Sequence, residues 1–444
     1  MGNLPLEGVR VADITVVWAG PHVTQLLAEW GAEVIRVEPR TRIQPATRGA
    51  ERRPPTPEEL QAMAAQGVTL AGFPDFVGRP DPWNRGASFN SHGRNKLSMT
   101  ADITTPEGRE AFLDLIEHCD VVVENNVPET IEKAGITYDV LSKRNPKLIM
   151  LRMPGFGLNG EYKNYRGFGL HMEAVIGHTH IRSYPDDIIE AAGDVVTSDA
   201  ISGIQGAFAV SMALRHVRRT GRGQLLEQPL AEAFLPIIGE FLLDYTANGR
   251  NTEPQGNRHR SHAPHNYYPC RGDGDYIAID CDSDDAWMAI CEFLGADDLL
   301  ANEEWQTAAG RYRDQVALDQ ALGEHTRKFD QRAMFFGLQA AGVIAGPVQN
   351  EAAAYACPQL AERGFFEETG NASTGTHLYP GVNLRMANTP NHIRSGPPLL
   401  GEHNEYVYRE VMGYTEEQYR ALEEIEQIGF GYAPGVAPFA TEEA

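Results

Sequence analysis

Residues 9–38 read VRVADITVVWAGPHVTQLLAEWGAEVIRVE. Val9 to Val17 is largely apolar and β-branched and runs into Ala19-Gly20-Pro21, the pattern of a buried strand that ends in a turn. From about His22 to Trp30 the spacing predicts a helix with Leu26 and Leu27 on its inner side, stopped at Gly31. Val34, Ile35 and Val37 then read as a second strand. Strand, helix and parallel strand within about 30 residues make a βαβ unit.

Outward from this unit the chain changes character and then resumes. Residues 41–92 carry many Arg, Pro and Gly, including Arg52-Arg53-Pro54-Pro55, with one short helical piece near Pro57–Gln66. They read as a long surface excursion, and long loops are often functional. Alternation returns with a helix at Pro106–His118, a strand at Val121–Val123, helical turns at Ile131 and Tyr138–Leu141, and a strand at Leu148–Leu151. Asp199–Arg218 reads as a helix with Ile204, Phe208, Ala209 and Met212 on one face, broken by Arg218-Arg219-Thr220-Gly221-Arg222-Gly223. A helical stretch follows Pro229 to about Tyr245, then a turn-rich stretch from Asn248 to Pro269. Tyr276–Cys281 reads as a strand, and several helices run on to about Ala341. Pro358–Gly401 is rich in Gly and Pro. A last helix near Thr415–Glu426 has Thr415 as its N-cap and Glu416 and Glu417 in its first turn.

The bulk numbers exclude several classes. At 444 residues the chain exceeds what one core usually holds, so two domains, or one large domain carrying a smaller one, are expected. No run approaches 18 apolar residues, which excludes a spanning helix. The N-terminus lacks the regions of a signal peptide, and Leu6 stands where a myristoylation signal needs Ser or Thr. The five cysteines, Cys119, Cys270, Cys281, Cys291 and Cys357, are odd in number and contain no CxxC. They read as small buried hydrophobes of a protein in the reducing cytoplasm. A formal net charge of −23 repels nucleic acid and anionic membrane. An anionic ligand would need a local cluster of Lys, Arg or backbone N–H groups.

Most familiar motifs are absent. Glu38 stands where a ribose-binding acid belongs in a dinucleotide fold. The turn before it is Trp18-Ala19-Gly20-Pro21-His22-Val23, however, and without GxGxxG its backbone does not approach a pyrophosphate closely. There is no HExxH and no GxSxG. In His262-Ala263-Pro264-His265 the proline disfavours a helix, so surface, packing or site-lining roles fit this pair better than metal ligation. Asp199, in Thr197-Ser198-Asp199-Ala200-Ile201-Ser202-Gly203, has two readings. It can be the N-cap of the helix it precedes. It can also be a carboxylate nucleophile, its anion stabilised at the positive end of a helix dipole. Spacing alone leaves both open.

Several segments in order resemble the class III CoA-transferase family, which includes formyl-CoA:oxalate and carnitine CoA-transferases. They are Leu6–Val11 through Ala19-Gly20-Pro21, Leu26–Pro39, and Gly93-Arg94-Asn95-Lys96-Leu97-Ser98-Met99. Next come Val123-Glu124-Asn125-Asn126, Gly135-Ile136-Thr137-Tyr138, Asn145–Ile149, Asp199–Gly203 and Thr220–Gln224. The last are Pro358–Phe366 and Leu400–Asn404. The likeness spans nearly all the chain outside residues 41–92.

The resemblance implies a fold and a chemistry. The fold would be α/β: a Rossmann-like large domain with a parallel sheet, carrying a smaller inserted α/β domain. Residues 1–228 would be the N-terminal part of the large domain. Residues 229–345 would be the small domain with its linkers, and 346–444 the linker and C-terminal return. Two chains would interlock as a homodimer. Asp199 would be the catalytic nucleophile, moving CoA from an acyl-CoA donor to a free carboxylic acid through an aspartyl anhydride and an aspartyl-CoA thioester. Backbone N–H groups near Ile201–Gly203 would hold the oxyanions. CoA enters as a substrate, and no metal or redox cofactor is implied.

Arg40, Arg94, Lys96, Lys133 and Arg166 would bind CoA phosphates, with Lys133 standing where the family often has Arg. Val17, Trp18, Ala19, Asn125 and Asn126 would line the CoA or acyl channel, Asn126 replacing a common Phe. Two departures point to acids larger than oxalate. His259–Asn266 replaces the glycine run of formyl-CoA transferase, and Trp18 replaces that enzyme's acceptor-contacting glutamine. Two alternatives share the fold. A racemase of α-methylacyl-CoA would need a second acid/base histidine, but Phe168 stands at that position and His171 lies three residues on. A non-catalytic subunit of a heteromeric transferase would tend to lose the aspartate, which is present here.

Overall fold

The computed structural model describes residues 4–42, 44–48, 56–65, 81–185, 196–434 and 436. The chain divides into two units. One comprises Met1–Ile176, Asp194–Leu242 and Gly364–Ala444; the other comprises Gly177–Gly193 and Leu243–Arg363. The division after 242, where the sequence suggested 229, has a packing reason. The helix Leu230–Phe234 lies against the helices Thr197–Thr220 and Gly169–Val175 of the first unit.

The first unit is built on six parallel strands: β1 (Arg10–Asp13), β2 (Glu33–Glu38), β3 (Lys96–Thr100), β4 (Val121–Glu124), β5 (Ile149–Arg152) and β6 (Gln224–Glu227). Their order is β3-β2-β1-β4-β5-β6. The expected βαβ opening is there as β1, the helix Ala19–Glu29 and β2. The chain builds outward from β1 to β3 and then returns to add β4 on the other side. The crevice outside the carboxyl ends of β1 and β4 is therefore the switch point of the sheet, where open α/β folds bind ligands.

The central strands are apolar on both faces because helices cover both. Val11, Val34, Val121, Val123, Ile149 and Leu151 point to one layer with Val23, Leu27, Ala207 and Val210. Ala12, Ile35, Val37, Val122 and Met150 point to the other with Phe112, Leu115 and Ile116 of the helix Pro106–Glu117. β3 and β6 lie at the sheet's edges, and the sequence reading missed both. Gln224–Glu227 alternates half-buried and exposed residues, a weak strand signal.

The helix Thr197–Thr220 turns the apolar face read from the sequence to the outside. Its larger apolar residues face outward, with Ile204, Phe208 and Met212 at 51%, 64% and 54% exposure. The buried face is made of Gly203, Gly206, Ala207, Val210, Ala213 and Leu214. Small residues win because the first helix comes so near that a Cβ on Gly206 would lie 2.7 Å from Val23 Cγ2.

The excursion at 41–92 is also less superficial than it reads. Arg48 is buried and holds both Glu38 oxygens, at 2.8 and 2.9 Å, with its guanidinium 3.7 Å over the Phe89 ring. Asp81 accepts a hydrogen bond from Ser373 at 2.9 Å, and Arg85 donates to the Ser373 carbonyl. Arg52-Arg53-Pro54-Pro55 falls outside the described residues. The last helix, Glu416–Glu424, starts as read, with Thr415 and Gln418 capping each other.

The second unit has an antiparallel sheet of β7 (His265–Pro269), β8 (Tyr276–Asp280) and β9 (Ile344–Val348), in that order. Its own core gathers Trp287, Ile290, Leu318, Leu322, Met334 and Leu338. β7 lies at the end of the stretch read as turns. Cys119, Cys270, Cys281 and Cys291 are buried, and Cys357 is half-buried. Among the described residues no helix is long and apolar enough to cross a membrane.

Candidate active site

The turn between β1 and the first helix is held from two sides. Asp13, fully buried, accepts from Thr15 N–H at 2.9 Å, Thr15 Oγ1 at 2.6 Å, Thr24 Oγ1 at 2.7 Å and Lys96 Nζ at 3.1 Å. Burial pushes its carboxyl up, but Lys96 and Arg36 outweigh that and hold it far below the usual carboxylate range. From β4, Asn125 accepts from Val16 N–H at 2.7 Å and donates to Val16 O at 2.8 Å. Between these clamps Val17 has φ +63°. A β-branched residue there is strained, and such strain persists only where the surroundings over-determine it. The strained residue therefore sits at the switch point itself.

Beyond Val17 the Trp18 ring stacks on His22, with centroids 6.3 Å apart, and meets His92 edge-on at 5.5 Å. His22 in turn presses on the helix Thr197–Thr220, since a Cβ on Gly203 would lie 2.7 Å from His22 Cγ. Burial, then Lys96, pulls the His22 imidazole down to about 4, and burial pulls His92 down to about 3. Both rings are neutral in the fold at pH 7. The unfolded chain gains protons as pH falls below about 6.5, so this stability is complete above that value and is lost on the way to 4. From pH 7 to pH 5 the unfolding free energy should fall by about 3 kcal/mol, after discounting His22 for its partial exposure. Urea titrations of the wild type and of His22→Phe should show this slope, and a smaller one in the variant. Equal slopes in the two would contradict it.

Asp199 is the third residue of its helix, and the N-cap is Val196. The capping reading is thus corrected: the side chain stands inside the first turn and is 6% exposed. It packs against Gly169, the first residue of the helix Gly169–Val175. A Cβ added to Gly169 would overlap Asp199 Oδ2 and lie 2.8 Å from Asp199 Cγ and 2.7 Å from Ser198 Oγ. Ser198 Oγ is buried with no hydrogen-bond partner among the described residues. The amides of Ile201–Gly203, expected to hold oxyanions, fall inside the helical ladder, which begins with Ala200 N–H to Val196 O at 3.2 Å.

The other expected site residues divide into three groups. Val17, Trp18 and Ala19 lie beyond the carboxyl end of β1, and Asn125 and Asn126 just beyond that of β4. Asn126 N–H donates to Glu124 Oε2 at 2.8 Å, and its side chain reaches Ile14 O at 3.4 Å. Lys133 and Arg166 are exposed and act on one acid, Glu129, whose distance to Lys133 Nζ is 2.6 Å.

Arg40, Arg94 and Lys96 are engaged within the chain. Arg40 donates to Ile428 O and Gly431 O, both at 2.9 Å. Arg94 grips Glu29 at 2.8 and 2.6 Å and donates to Pro380 O. Lys96 gives its three protons to Asp13, Pro21 O at 3.0 Å and Thr24 at 2.7 Å. Burial lowers its ammonium to about 8 against the pull of Asp13. Lys96 therefore braces the β1 turn, an occupation different from the phosphate contact expected of it.

Gly169, Glu173, His22 and His92 were not anticipated. Only the glycines of Gly167-Phe168-Gly169 mark the place in the sequence. His171 Nδ1 accepts the Phe168 N–H at 3.1 Å, so it caps a helix. In the second unit His262 pairs with Asp280 at 2.7 Å, and His265 lines a cavity of about 440 Å³ with Arg258 and Asn266. Among the described residues no three His, Cys, Asp or Glu side chains are grouped to hold a metal ion.

Several known proteins are similar to this chain over most of its length. The model of CoA-transferase family III matches residues 6–404. A succinyl-CoA–L-malate CoA-transferase beta subunit from Chloroflexus aurantiacus is 31% identical over 95% of this chain and 97% of its own. A succinate–glutarate CoA-transferase from Agrobacterium fabrum is 30% identical over 92% and 96%. The crystal structure of a CAIB/BAIF family protein from Brucella suis superposes with a TM-score of 0.79 at 27% identity, covering 92% of this chain and 100% of that one.

Proposed function

The chain belongs to CoA-transferase family III and is an acyl-CoA:carboxylate CoA-transferase, and we propose that it moves CoA from succinyl-CoA to a second dicarboxylic acid with Asp199 as nucleophile. The observation that carries the reading is the Asp199 carboxylate, buried in the first turn of a helix where Gly169 leaves it room. Burial strips water from a weak nucleophile, and the helix start favours its anion. The donor and acceptor class follow from the relatives, which act on succinyl-CoA or succinate together with malate or glutarate.

Four displacements make the cycle. An Asp199 oxygen attacks the thioester carbonyl and expels CoA thiolate, leaving a mixed anhydride. The thiolate attacks Asp199 Cγ, releases succinate and forms an aspartyl-CoA thioester. The acceptor carboxylate attacks Cγ and expels the thiolate again. The thiolate then attacks the acceptor's acyl carbon, giving the new acyl-CoA and freeing Asp199. Each step exchanges one acyl bond for another, so water must be kept out. Ser198 Oγ is the donor placed to serve the tetrahedral oxyanions. Val17 to Ala19, Asn125 and Asn126 line the acyl and pantetheine path. Lys133 and Arg166, with Arg40, meet the phosphates, while Arg94 and Lys96 hold the walls.

Initial rates with succinyl-CoA and a panel of acids test this. Transfer to dicarboxylic acids such as malate or glutarate should exceed transfer to oxalate and to monocarboxylates, in keeping with Trp18 at the turn. Oxalate as the best acceptor, or no transfer from succinyl-CoA at all, would overturn it.

The working form we propose is an interlocked homodimer in the reducing cytoplasm, its smaller domain an insertion in the larger. The exposed row Ile204, Phe208 and Met212 supports a subunit contact, since monomers rarely leave such a stripe in water. Sedimentation velocity at micromolar concentration should give one species of twice the chain mass. A monomer, or a stable complex formed only with a paralogous chain, would contradict it.

A further inference from the structure

Glu173 lies four residues beyond Gly169 on the same short helix, so the two project to one side. Gly169 meets the Asp199 carboxylate. Glu173, fully buried, accepts Ser198 N–H at 3.0 Å through Oε1. The helix that starts there has no side-chain cap of its own, because its N-cap is Val196. The first turn of any helix leaves N–H groups without partners in the ladder, and an N-cap oxygen ordinarily serves one of them. Here that acceptor comes from a neighbouring helix, and it is bonded to the residue next to Asp199.

We propose that Glu173 is a positioning residue for CoA transfer: it caps the helix of Asp199 from outside and so sets where the nucleophile stands. A carboxylate is a strong acceptor for an amide, and a buried one does not swing out to water. With Gly169 and Glu173 one turn apart, the same helix both makes room for the nucleophile and fixes the backbone beneath it. A nucleophile displaced by about 1 Å loses much of its rate while the substrate still binds. The inference rests on the reading of Asp199 as nucleophile.

Glu173→Gln and Glu173→Met separate the acceptor from mere volume, since both are close to Glu in length and only Gln keeps the oxygen. Assayed with succinyl-CoA beside Asp199→Ala, the Gln variant should keep kcat within about threefold, and the Met variant should lose about tenfold or more with KM for succinyl-CoA within about twofold. Adding Val196→Asp to the Met variant supplies a cap in place and should restore part of the lost kcat. A folded Met variant with wild-type kcat overturns the inference, as does a Gln variant as slow as Met. Should Glu173→Met not fold, the Gln variant decides: kcat near wild type supports the cap, and a loss of about tenfold or more in folded protein overturns it. An active Asp199→Ala would remove the nucleophile reading itself. An inactive Asp199→Ala beside a fully active Met variant would remove only the role of Glu173.

Discussion

Asp199→Ala should lose CoA transfer by at least about a thousandfold, because in the proposed cycle every acyl bond passes through this carboxylate. The substitution removes a buried charge from a helix start, so the folded protein should persist with a melting temperature near that of the wild type. A chemical signature separates this from general damage. Wild-type enzyme incubated with succinyl-CoA and quenched in hydroxylamine should yield the hydroxamate of Asp199 in the peptide that spans it, and borohydride should yield the alcohol. The variant should give neither, while still binding CoA. Asp199→Glu keeps the charge but carries it one methylene further, into the space bounded by Gly169 and Ser198, and should also be slow. Full activity in Asp199→Ala, or an adduct at another residue, would end the proposal.

Gly169→Ala should uncouple stability from chemistry. The added methyl meets the far end of the Asp199 side chain rather than backbone, so the fold escapes by turning the carboxylate away. Gly169 is the first residue of its helix, outside the interior where Ala is favoured over Gly, so the melting temperature should hold near that of the wild type. The cost falls on the nucleophile, and kcat should drop by about a hundredfold. Gly206→Ala is the control. Its methyl would meet Val23 and Leu151 in the core, so it should lower the melting temperature far more than it lowers kcat per folded molecule. A Gly169→Ala enzyme with wild-type kcat would mean that the Asp199 carboxylate does not react from where it stands.

The opening βαβ unit was legible because its signals are local. Val9 to Val17 and Val34 to Val37 are largely apolar and β-branched, and Gly31 stops a helix whatever surrounds it. The edge strands β3 and β6 were not: the half-exposed residues of Gln224–Glu227 carry little periodicity, and β3 buries the polar Lys96, Ser98 and Thr100. The helix of Asp199 was located with its apolar residues on one face, but which face is buried was not legible. Large apolar residues ordinarily mark the buried face, and here Ile204, Phe208 and Met212 lie outside because Gly206 and Ala207 let another helix close in. The charged candidates show the same limit. Arg94 and Lys96 read as ligand-binding cations. Their partners Glu29 and Asp13 lie 65 and 83 residues away in the chain, a separation at which a sequence says nothing about who meets whom.

By itself, then, the sequence determined the α/β class and the family and singled out the aspartate proposed as nucleophile, because each rests on residues near one another or on blocks in order. Whether that aspartate caps its helix or stands within it was settled only when the helix was seen to begin at Thr197, with Val196 before it. Only the tertiary structure placed Gly169 against the carboxylate and Glu173 beneath its backbone, both about thirty residues upstream of Asp199. A nucleophile's position is set by what packs on it in space, and packing joins elements whose order in the chain carries no record of the contact.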